Sequence, residues 1–404
     1  MAGRFASVLR NRQYLWFLGS WTTASTGYSV FAISIVWVAY LASHSFVVVG
    51  ATLAIERGAY CLTFAVAPIA DRVRNQRTIY VLSYPLQAVA AVVLGYGALR
   101  GSLSLVALLG LVALLSVLWD LTWAAANAAP GILLTPDEQF AAGGVQGILG
   151  GANTIAGYAA GGVLILVVGA GGGMYLYAAL LLLATALAFP LRVATGGPRP
   201  STFGESFREG WQTLAGEPGR PLLQLAAVDA VQGFFSAAPA VLVALVAVRA
   251  FGGSGSAYAL LFVAYVVGGV VAGLLFGWWN PRHRVGPLLV ASLAAGAATY
   301  ALIAVEPAVV VAGVGVWFAI GFAQSAYQDA KYAFLRGSIA PEQLARVVSN
   351  LYTFPGVTST VGVLVIGLLA TTVALPTLSV VVALGAALAA VAALASPAVR
   401  RMRF

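Results

Sequence analysis

Long apolar runs separated by short polar segments fill the chain from end to end. Each run is close to the ~20 residues that a helix needs to cross the hydrocarbon core of a bilayer. The runs lack the strict alternation of barrel strands, and lipid offers no partners for backbone groups, so we expect helices. The sequence predicts twelve spans, at 14–41, 46–70, 78–99, 103–129, 141–168, 172–193, 221–248, 255–279, 286–305, 308–335, 346–372 and 375–396.

The longest connection divides these spans into two sets of six. Within it, Phe203, Phe207, Trp211 and Leu214 recur at helical spacing. This pattern predicts a short amphipathic helix on the membrane surface, although the segment could also serve only as a tether. We expect three parts: an N-terminal six-helix bundle over 1–193, a cytoplasmic linker over 194–220, and a C-terminal six-helix bundle over 221–404.

An internal repeat supports the division into halves. TPDEQFAAGG, which begins at Thr135, follows the fourth predicted span, and APEQLARVVSN, which begins at Ala340, follows the tenth. Aligning Glu138 with Glu342 gives an offset of 204 residues, close to half the chain. Parallel repeats of six helices are typical of one transporter architecture.

Composition identifies the environment of these helices. The chain is 61% hydrophobic and 8% charged, with a mean hydropathy of +0.94, whereas soluble domains carry about 25% charged residues. We therefore expect an integral membrane protein. The single cysteine, Cys61, excludes an internal disulfide and a cysteine-cluster metal site, and we expect no cofactor.

The basic residues predict the orientation in the membrane. The formal net charge is +9. Of 21 basic residues, Arg100 and Arg249 fall in one set of loops, and Arg57 and Lys331 fall inside spans; the remaining seventeen lie in the alternate loops and the termini. Because positive residues favour the cytoplasmic side, we expect both termini there. The basicity thus reflects topology and indicates no nucleic-acid partner.

Ionisable residues inside spans are candidates for function, because each costs at least ~2.5–3.5 kcal/mol at a helix centre. The acids are Glu56, Asp120, Asp229 and Asp329, and the bases are Arg57 and Lys331. The excess of acids favours a cationic or zwitterionic substrate over a dianion, although Arg57 and Lys331 leave room for an anionic group. Burial favours a neutral carboxylic acid, so one or more of these acids could exchange protons.

Several of these charges share a helical face with other polar side chains. We expect such stripes to face protein or water, not lipid. The stripes join Asp120 with Trp123 and Asn127, Asp229 with Gln232, and Lys331 with Gln324, Tyr327 and Gln328.

Other interpretations of these charges remain open. The repeat places Lys331 opposite Asn127, at the cytoplasmic end of a central cavity; alternatively, Lys331 reaches the interface with its long stem. Asp329 points to another side of the helix, nearer Ser325, so we expect it to make a helix-helix or gating contact. Glu56 and Arg57 could instead form ion pairs that only fix packing.

The stretch APIADRVRNQR, over 67–77, resembles the loop between the second and third spans of the major facilitator superfamily. Asp71, Arg72 and Arg77 match the pattern of that loop, whereas Ala67 and Arg74 replace its glycines. The resemblance implies twelve helices in two pseudo-symmetric bundles and a gating role for Asp71, Arg72 and Arg77. Alternatively, the arginines only enforce topology.

The segment GYAAGG resembles the Gly-Pro-x-x-Gly-Gly motif of exporters, with Tyr158 in place of proline. Gly157, Gly161 and Gly162 would let helices pack closely. With PEQLARVVSNL, this region is similar to the branch of siderophore and macrolide exporters. The resemblance implies a proton-driven exporter of small amphiphilic molecules. Many drug/proton antiporters carry an arginine in the fourth span, where this chain has only Asp120, so that coupling scheme does not transfer.

Other functional classes fit less well. No Gly-x-x-x-x-Gly-Lys loop is present for an ATP-driven permease. His44 and His283 lie in connections on opposite sides, so we expect no enzyme. We expect a monomeric transporter that works by alternating access and exchanges its substrate for protons. The alternatives are a lipid or lysolipid flippase, an importer, and a receptor or sensor without transport.

Overall fold

The computed structural model describes residues 7–8, 10–61, 73, 75–192, 220–236, 238–279, 285–305, 310–338 and 341–402. The described part is almost entirely helical. Its first six helices are α1 (Arg12–Ser43), α2 (Phe46–Cys61), α3 (Gln76–Arg100), α4 (Leu105–Leu133), α5 (Pro136–Val167) and α6 (Ala170–Ala188). The predicted linker over 194–220, including the expected amphipathic helix, lies outside the described residues except for its last position.

Eight further helices follow. They are α7 (Arg220–Ser236), α8 (Ala238–Arg249), α9 (Gly255–Trp279), α10 (Val285–Val305), α11 (Val310–Ser338), α12 (Pro341–Thr372), α13 (Leu375–Ala395) and α14 (Pro397–Arg400). Among the described residues, ten helical stretches are long and apolar enough to cross a membrane, with α7 and α8 together forming one. The other two predicted spans correspond to α2 and α11. The predicted fold class, an all-helical multi-pass membrane protein, is confirmed.

The chain divides into two compact units. Unit 1 comprises Met1–His44 and Ala59–Pro200, and unit 2 comprises Ser45–Gly58 and Ser201–Phe404. Most of α2 therefore groups with helices from the far end of the sequence. Close backbone approach supports this grouping, because a Cβ added at Gly50 would lie 2.9 Å from the backbone oxygen of Val363 in α12.

In unit 1, α1 packs against α5 and α6, and α3 packs against α6. Two glycines of the predicted packing motif permit the α1–α5 contact. A Cβ at Gly157 would collide with the backbone oxygen of Thr26, and one at Gly161 would lie 2.6 Å from a methyl carbon of Ile33. Gly162 is also buried. The spacing of these glycines thus corresponds to a tight helix-helix seam.

In unit 2, α9 packs along α11, α10 packs against α11 and α13, and α7 packs against α12. Backbones approach closely between α9 and α11 as well. A Cβ at Gly321 would collide with the backbone oxygen of Tyr265, and one at Gly268 with that of Phe318. This contact fixes the rotation of α11 and hence the direction of its polar side chains.

The α1–α5 seam predicts an asymmetric response to added methyl groups. Gly157→Ala would overpack the seam and should destabilise unit 1 by about 1–3 kcal/mol. Gly151→Ala, in the same helix, meets no atom within 4 Å and should be neutral or stabilise by up to ~1 kcal/mol through helix propensity. Thermal unfolding in detergent measures both. Equal melting temperatures for the two variants would contradict the packing role of Gly157.

The start of α5 is held by Glu138. Its carboxylate accepts hydrogen bonds from Ser7 Oγ, from the backbone N–H of Thr135 at 3.1 Å and from Thr135 Oγ1 at 3.0 Å. These bonds favour the ionised form, so the pKa of Glu138 lies below its ordinary value, with the Ser7 bond the largest cause. The stabilisation is present above the ordinary pKa of glutamate and is lost as pH falls through the lowered folded-state value.

This linkage predicts a pH-dependent effect of Glu138→Gln. The variant should melt at a lower temperature than the native chain at neutral pH, and the difference should shrink in acid, toward about pH 3, where the native carboxylate protonates too. Ser7→Ala should weaken the same dependence. A difference in melting temperature that is constant across this pH range would show that the ionised carboxylate has no such role.

Candidate functional site

A buried ion pair lies in the interior of unit 2. Lys331 Nζ of α11 lies 3.2 Å from both carboxylate oxygens of Asp229 in α7. Tyr327, one turn before the lysine, donates a hydrogen bond of 2.6 Å from its hydroxyl to Asp229 Oδ1. The side chains of Lys331 and Asp229 are only 2% and 9% exposed. The sole lysine of the chain is thus paired within the protein.

Apolar packing on six helices surrounds this pair. The cluster draws on α7, α10, α11, α12, α13 and α14, with members such as Leu225, Leu289, Phe334, Leu351 and Ala389. Tyr327 and Lys331 are four residues apart, so both project from one face of α11. In these apolar surroundings the two charges and the Tyr327 hydroxyl stabilise one another.

A small cavity lies beside Tyr327. Its volume is about 20 Å³, enough for roughly one water molecule. The polar side chains that line it are Gln232 of α7, Ser292 and Tyr300 of α10, and Gln324 and Tyr327 of α11. Gln232 Oε1 is buried, and no donor among the described residues reaches it. An oxygen of this kind requires a donor from a water molecule or a ligand.

A second polar contact in unit 2 involves α2. Arg57 donates from Nη1 to Ser359 Oγ of α12 at 2.8 Å, and its guanidinium interacts electrostatically with the hydroxyl of Tyr265 in α9. The Nε of Arg57 is buried and has no acceptor within the described part of the chain. Glu56, the next residue, is half-buried in the same helix.

Together these contacts define what we call the unit 2 polar cluster: Asp229, Tyr327 and Lys331, with Gln232, Gln324 and Tyr300 around the cavity. Five of the six are sequence-predicted site residues. The sixth, Tyr300, could not be predicted as a site residue from the sequence, because a lone tyrosine in an apolar helix more often faces the lipid interface. Ser359 and Tyr265 likewise look like ordinary helix residues until the partner helix is known.

The predicted polar stripe of α4 lies in unit 1, and its three residues differ in solvent exposure. Asp120 is buried, whereas Trp123 is 36% exposed and Asn127 is exposed. The preceding residue, Trp119, stacks on Tyr28 of α1 with ring centroids 4.1 Å apart. Asp120 therefore lies next to an aromatic contact between α1 and α4.

The remaining predicted residues lie on other faces or outside the described part. Asp329 projects toward α9, where a Cβ on Gly273 would be 3.6 Å from Asp329 Oδ2, and Gln328 is half-buried in α11. Arg77 lies in the first turn of α3 with its guanidinium carbon 4.6 Å from the ring centroid of Phe189. Asp71 and Arg72 are outside the described residues.

Metal binding finds no support in the described ranges, which contain no group of three or more histidine, cysteine, aspartate or glutamate side chains suited to a metal ion. The unit 2 polar cluster has one carboxylate and no imidazole or thiol. Its groups can exchange a proton, pair with charges and donate or accept hydrogen bonds.

Comparison with solved structures identifies the fold. A bacterial homolog of the human lysosomal transporter Spinster matches with a TM-score of 0.72 at 15% identity, covering 98% of both chains. An auto-inhibited peptide transporter of the POT family matches with 0.71 at 15%, covering 97% of this chain and 98% of the other. The human organic anion transporter MFSD10 matches with 0.62 at 14%, covering 95% and 99%.

These likenesses define the class of architecture: the chain has the fold of major facilitator transporters. At such low identities the comparison establishes the fold alone. No protein-family model and no curated protein sequence matches the chain. The resemblance to the siderophore and macrolide branch therefore stays a prediction.

The buried pair predicts a characteristic pattern of stability. Asp229→Asn or Lys331→Met alone leaves one charge buried without its partner and should cost about 3–5 kcal/mol. The double variant removes both charges and should recover most of that loss. Thermal unfolding in a neutral detergent measures the three variants. Additive losses in the double variant would contradict direct pairing.

Proposed function

We propose that this chain is a proton-coupled secondary transporter that exports a small amphiphilic cation or zwitterion by alternating access. The fold supports the transporter class, because the matched structures include a lysosomal transporter homolog, an organic anion transporter and a peptide transporter. The observation that carries the proposal is the buried Asp229–Lys331 pair beside a cavity with an unpartnered amide oxygen.

A buried acid-base pair suits coupled exchange because neither charge can be left buried without a partner. The pair therefore opens only when a proton or a charged group of the substrate takes the place of one partner. Protonation of the Asp229 carboxylate removes one charge, weakens the bond to Lys331 and releases the ammonium. A proton and a substrate can therefore compete for the same two groups.

The same geometry suggests the substrate class. The cavity of about 20 Å³ is too small for an amphiphilic solute, so binding requires the opening that alternating access supplies. The pair is neutral as a whole, so in the open state a zwitterion can satisfy both partners, with its cationic group on Asp229 and its anionic group on Lys331. A simple cation would need only Asp229. Gln232 can accept a hydrogen bond from the ligand, and Tyr300 and Tyr327 offer rings for its apolar part.

The membrane setting follows from the charge distribution. We propose a multi-pass protein of the cell membrane with both termini in the cytoplasm, because the basic residues concentrate in one alternate set of loops and at the termini. Single-chain neighbours support a monomer. The exporter direction rests on the glycine-motif resemblance in α5.

Proteoliposome transport tests the proposal. With an inward proton gradient, a panel of amphiphilic cations, zwitterions and lysolipids should contain a substrate that moves outward while the lumen acidifies. Asp229→Asn should abolish the coupled proton flux. Lys331→Gln and Tyr327→Phe each remove a hydrogen bond to the carboxylate and should slow exchange by about tenfold or more, the equivalent of ~1.5–3 kcal/mol.

Glu138→Gln is the matched control, because it neutralises a carboxylate outside the predicted spans and should leave coupling intact. Proton flux without any substrate dependence would refute antiport. Symmetric movement of lysolipids between leaflets would instead identify a flippase, and uptake with the proton would identify an importer. Normal coupling in Asp229→Asn would remove Asp229 from the mechanism.

A further inference from the structure

Three arginines converge on a second cavity, at the end of unit 1 where α1 and α3 begin and α6 ends. The cavity has a volume of about 450 Å³ and is lined by the side chains of Arg12, Arg77 and Arg192, with Trp16 and Phe189 beside them. It is far larger than the unit 2 cavity and shares no residue with it.

Hydrogen bonds hold the backbone next to the arginines that line this cavity. Gln13 in the first turn of α1 accepts from the backbone N–H of Arg192 at 2.8 Å and donates to the backbone oxygen of Pro190 at 3.4 Å. Asn75 caps α3 by accepting from the backbone N–H of Arg77 at 3.1 Å. Gln13 therefore joins the backbone next to Arg12 to that of Arg192, and the cap of α3 sets the backbone of Arg77.

The electrostatics of the cavity favour an anion. Among the described residues, no carboxylate lies within ion-pair distance of the three guanidinium groups. Arg12 and Arg77 also occupy first helical turns that contain no acidic residue, where the helix dipole adds further positive potential. Phe189 holds the guanidinium of Arg77 in place without neutralising it. An anion would relieve the repulsion among these cations.

Apolar surface next to the cavity indicates that the molecule with the anionic group also has an apolar part. Phe189 is 58% exposed, and Leu15 of α1, one turn beyond Arg12, is 43% exposed. In a membrane protein such side chains are covered by lipid, and Trp16 is typical of the interface. The volume falls in the range of about 300–1,000 Å³ that small-molecule sites occupy.

We propose that this cavity binds the headgroup phosphate of an anionic phospholipid, whose acyl chains lie along the adjoining apolar surface. Arginine suits this task because its planar group donates two parallel hydrogen bonds to phosphate oxygens. The proposal concerns a lipid site of unit 1 and holds whether or not the chain transports by the mechanism proposed above.

Native mass spectrometry of the full chain in a neutral detergent tests the site. Dioctanoyl phosphatidylglycerol and dioctanoyl phosphatidylcholine are titrated separately. The native chain should bind one phosphatidylglycerol more tightly than any phosphatidylcholine. Each arginine removed should weaken that lipid about fivefold, so Arg12→Gln/Arg77→Gln/Arg192→Gln should lose roughly a hundredfold. Arg192→Gln, at an exposed position after α6, gives a single-site measurement if the triple variant fails to fold.

Arg100→Gln/Arg401→Gln is the matched control, since it removes two arginines outside the cavity and should bind phosphatidylglycerol as the native chain does. Equal affinity for the two lipids, an unchanged Arg192→Gln, or an equal loss in the control would overturn the proposal. So would protection against thermal unfolding by inorganic phosphate as strong as that by phosphatidylglycerol, because it would assign the cavity to a soluble anion.

Discussion

Hydrocarbon gives a polar group no partners other than those that the protein itself supplies, and this constraint governs every level of the structure. It makes the spans helical, because only a helix satisfies its own backbone. It also directs hydroxyl groups back to their own helix, as when Thr52 donates to the carbonyl of Val48 and Ser379 to that of Leu375. A buried polar group that does not bond to its own helix needs another partner. Lys331 has Asp229, whereas the side-chain oxygen of Gln232 needs a donor from water or a ligand.

The same constraint explains why the fold could be predicted from the sequence. Apolar runs of spanning length indicate a helical multi-pass membrane protein, and the fold shared with solved transporter structures agrees. The faces of α11 were also predictable, because helical spacing alone separates Lys331 from Asp329. The close α9–α11 contact directs Ser325 and Asp329 to one side and Tyr327 to another.

Partners across helices could not be predicted in this way. The sequence showed Asp229 and Lys331 as separate interior charges 102 residues apart, and nothing in either segment specifies that α7 and α11 meet. Arg57 is an extreme case, because its acceptor Ser359 is 302 residues away and has no special sequence context. Pairing depends on tertiary packing, and one unaligned sequence carries that information only indirectly.

The grouping of residues 45–58 with unit 2 has a consequence for how the chain is made. A ribosome delivers α2 to the membrane long before α12, so the guanidinium of Arg57 must enter the bilayer when its eventual acceptor has not yet been synthesised. During that interval it depends on water, lipid headgroups or the insertion machinery for solvation. Unit 2 can close around it only after almost the whole chain has been translated, so the last helices complete a structure that began with one of the first.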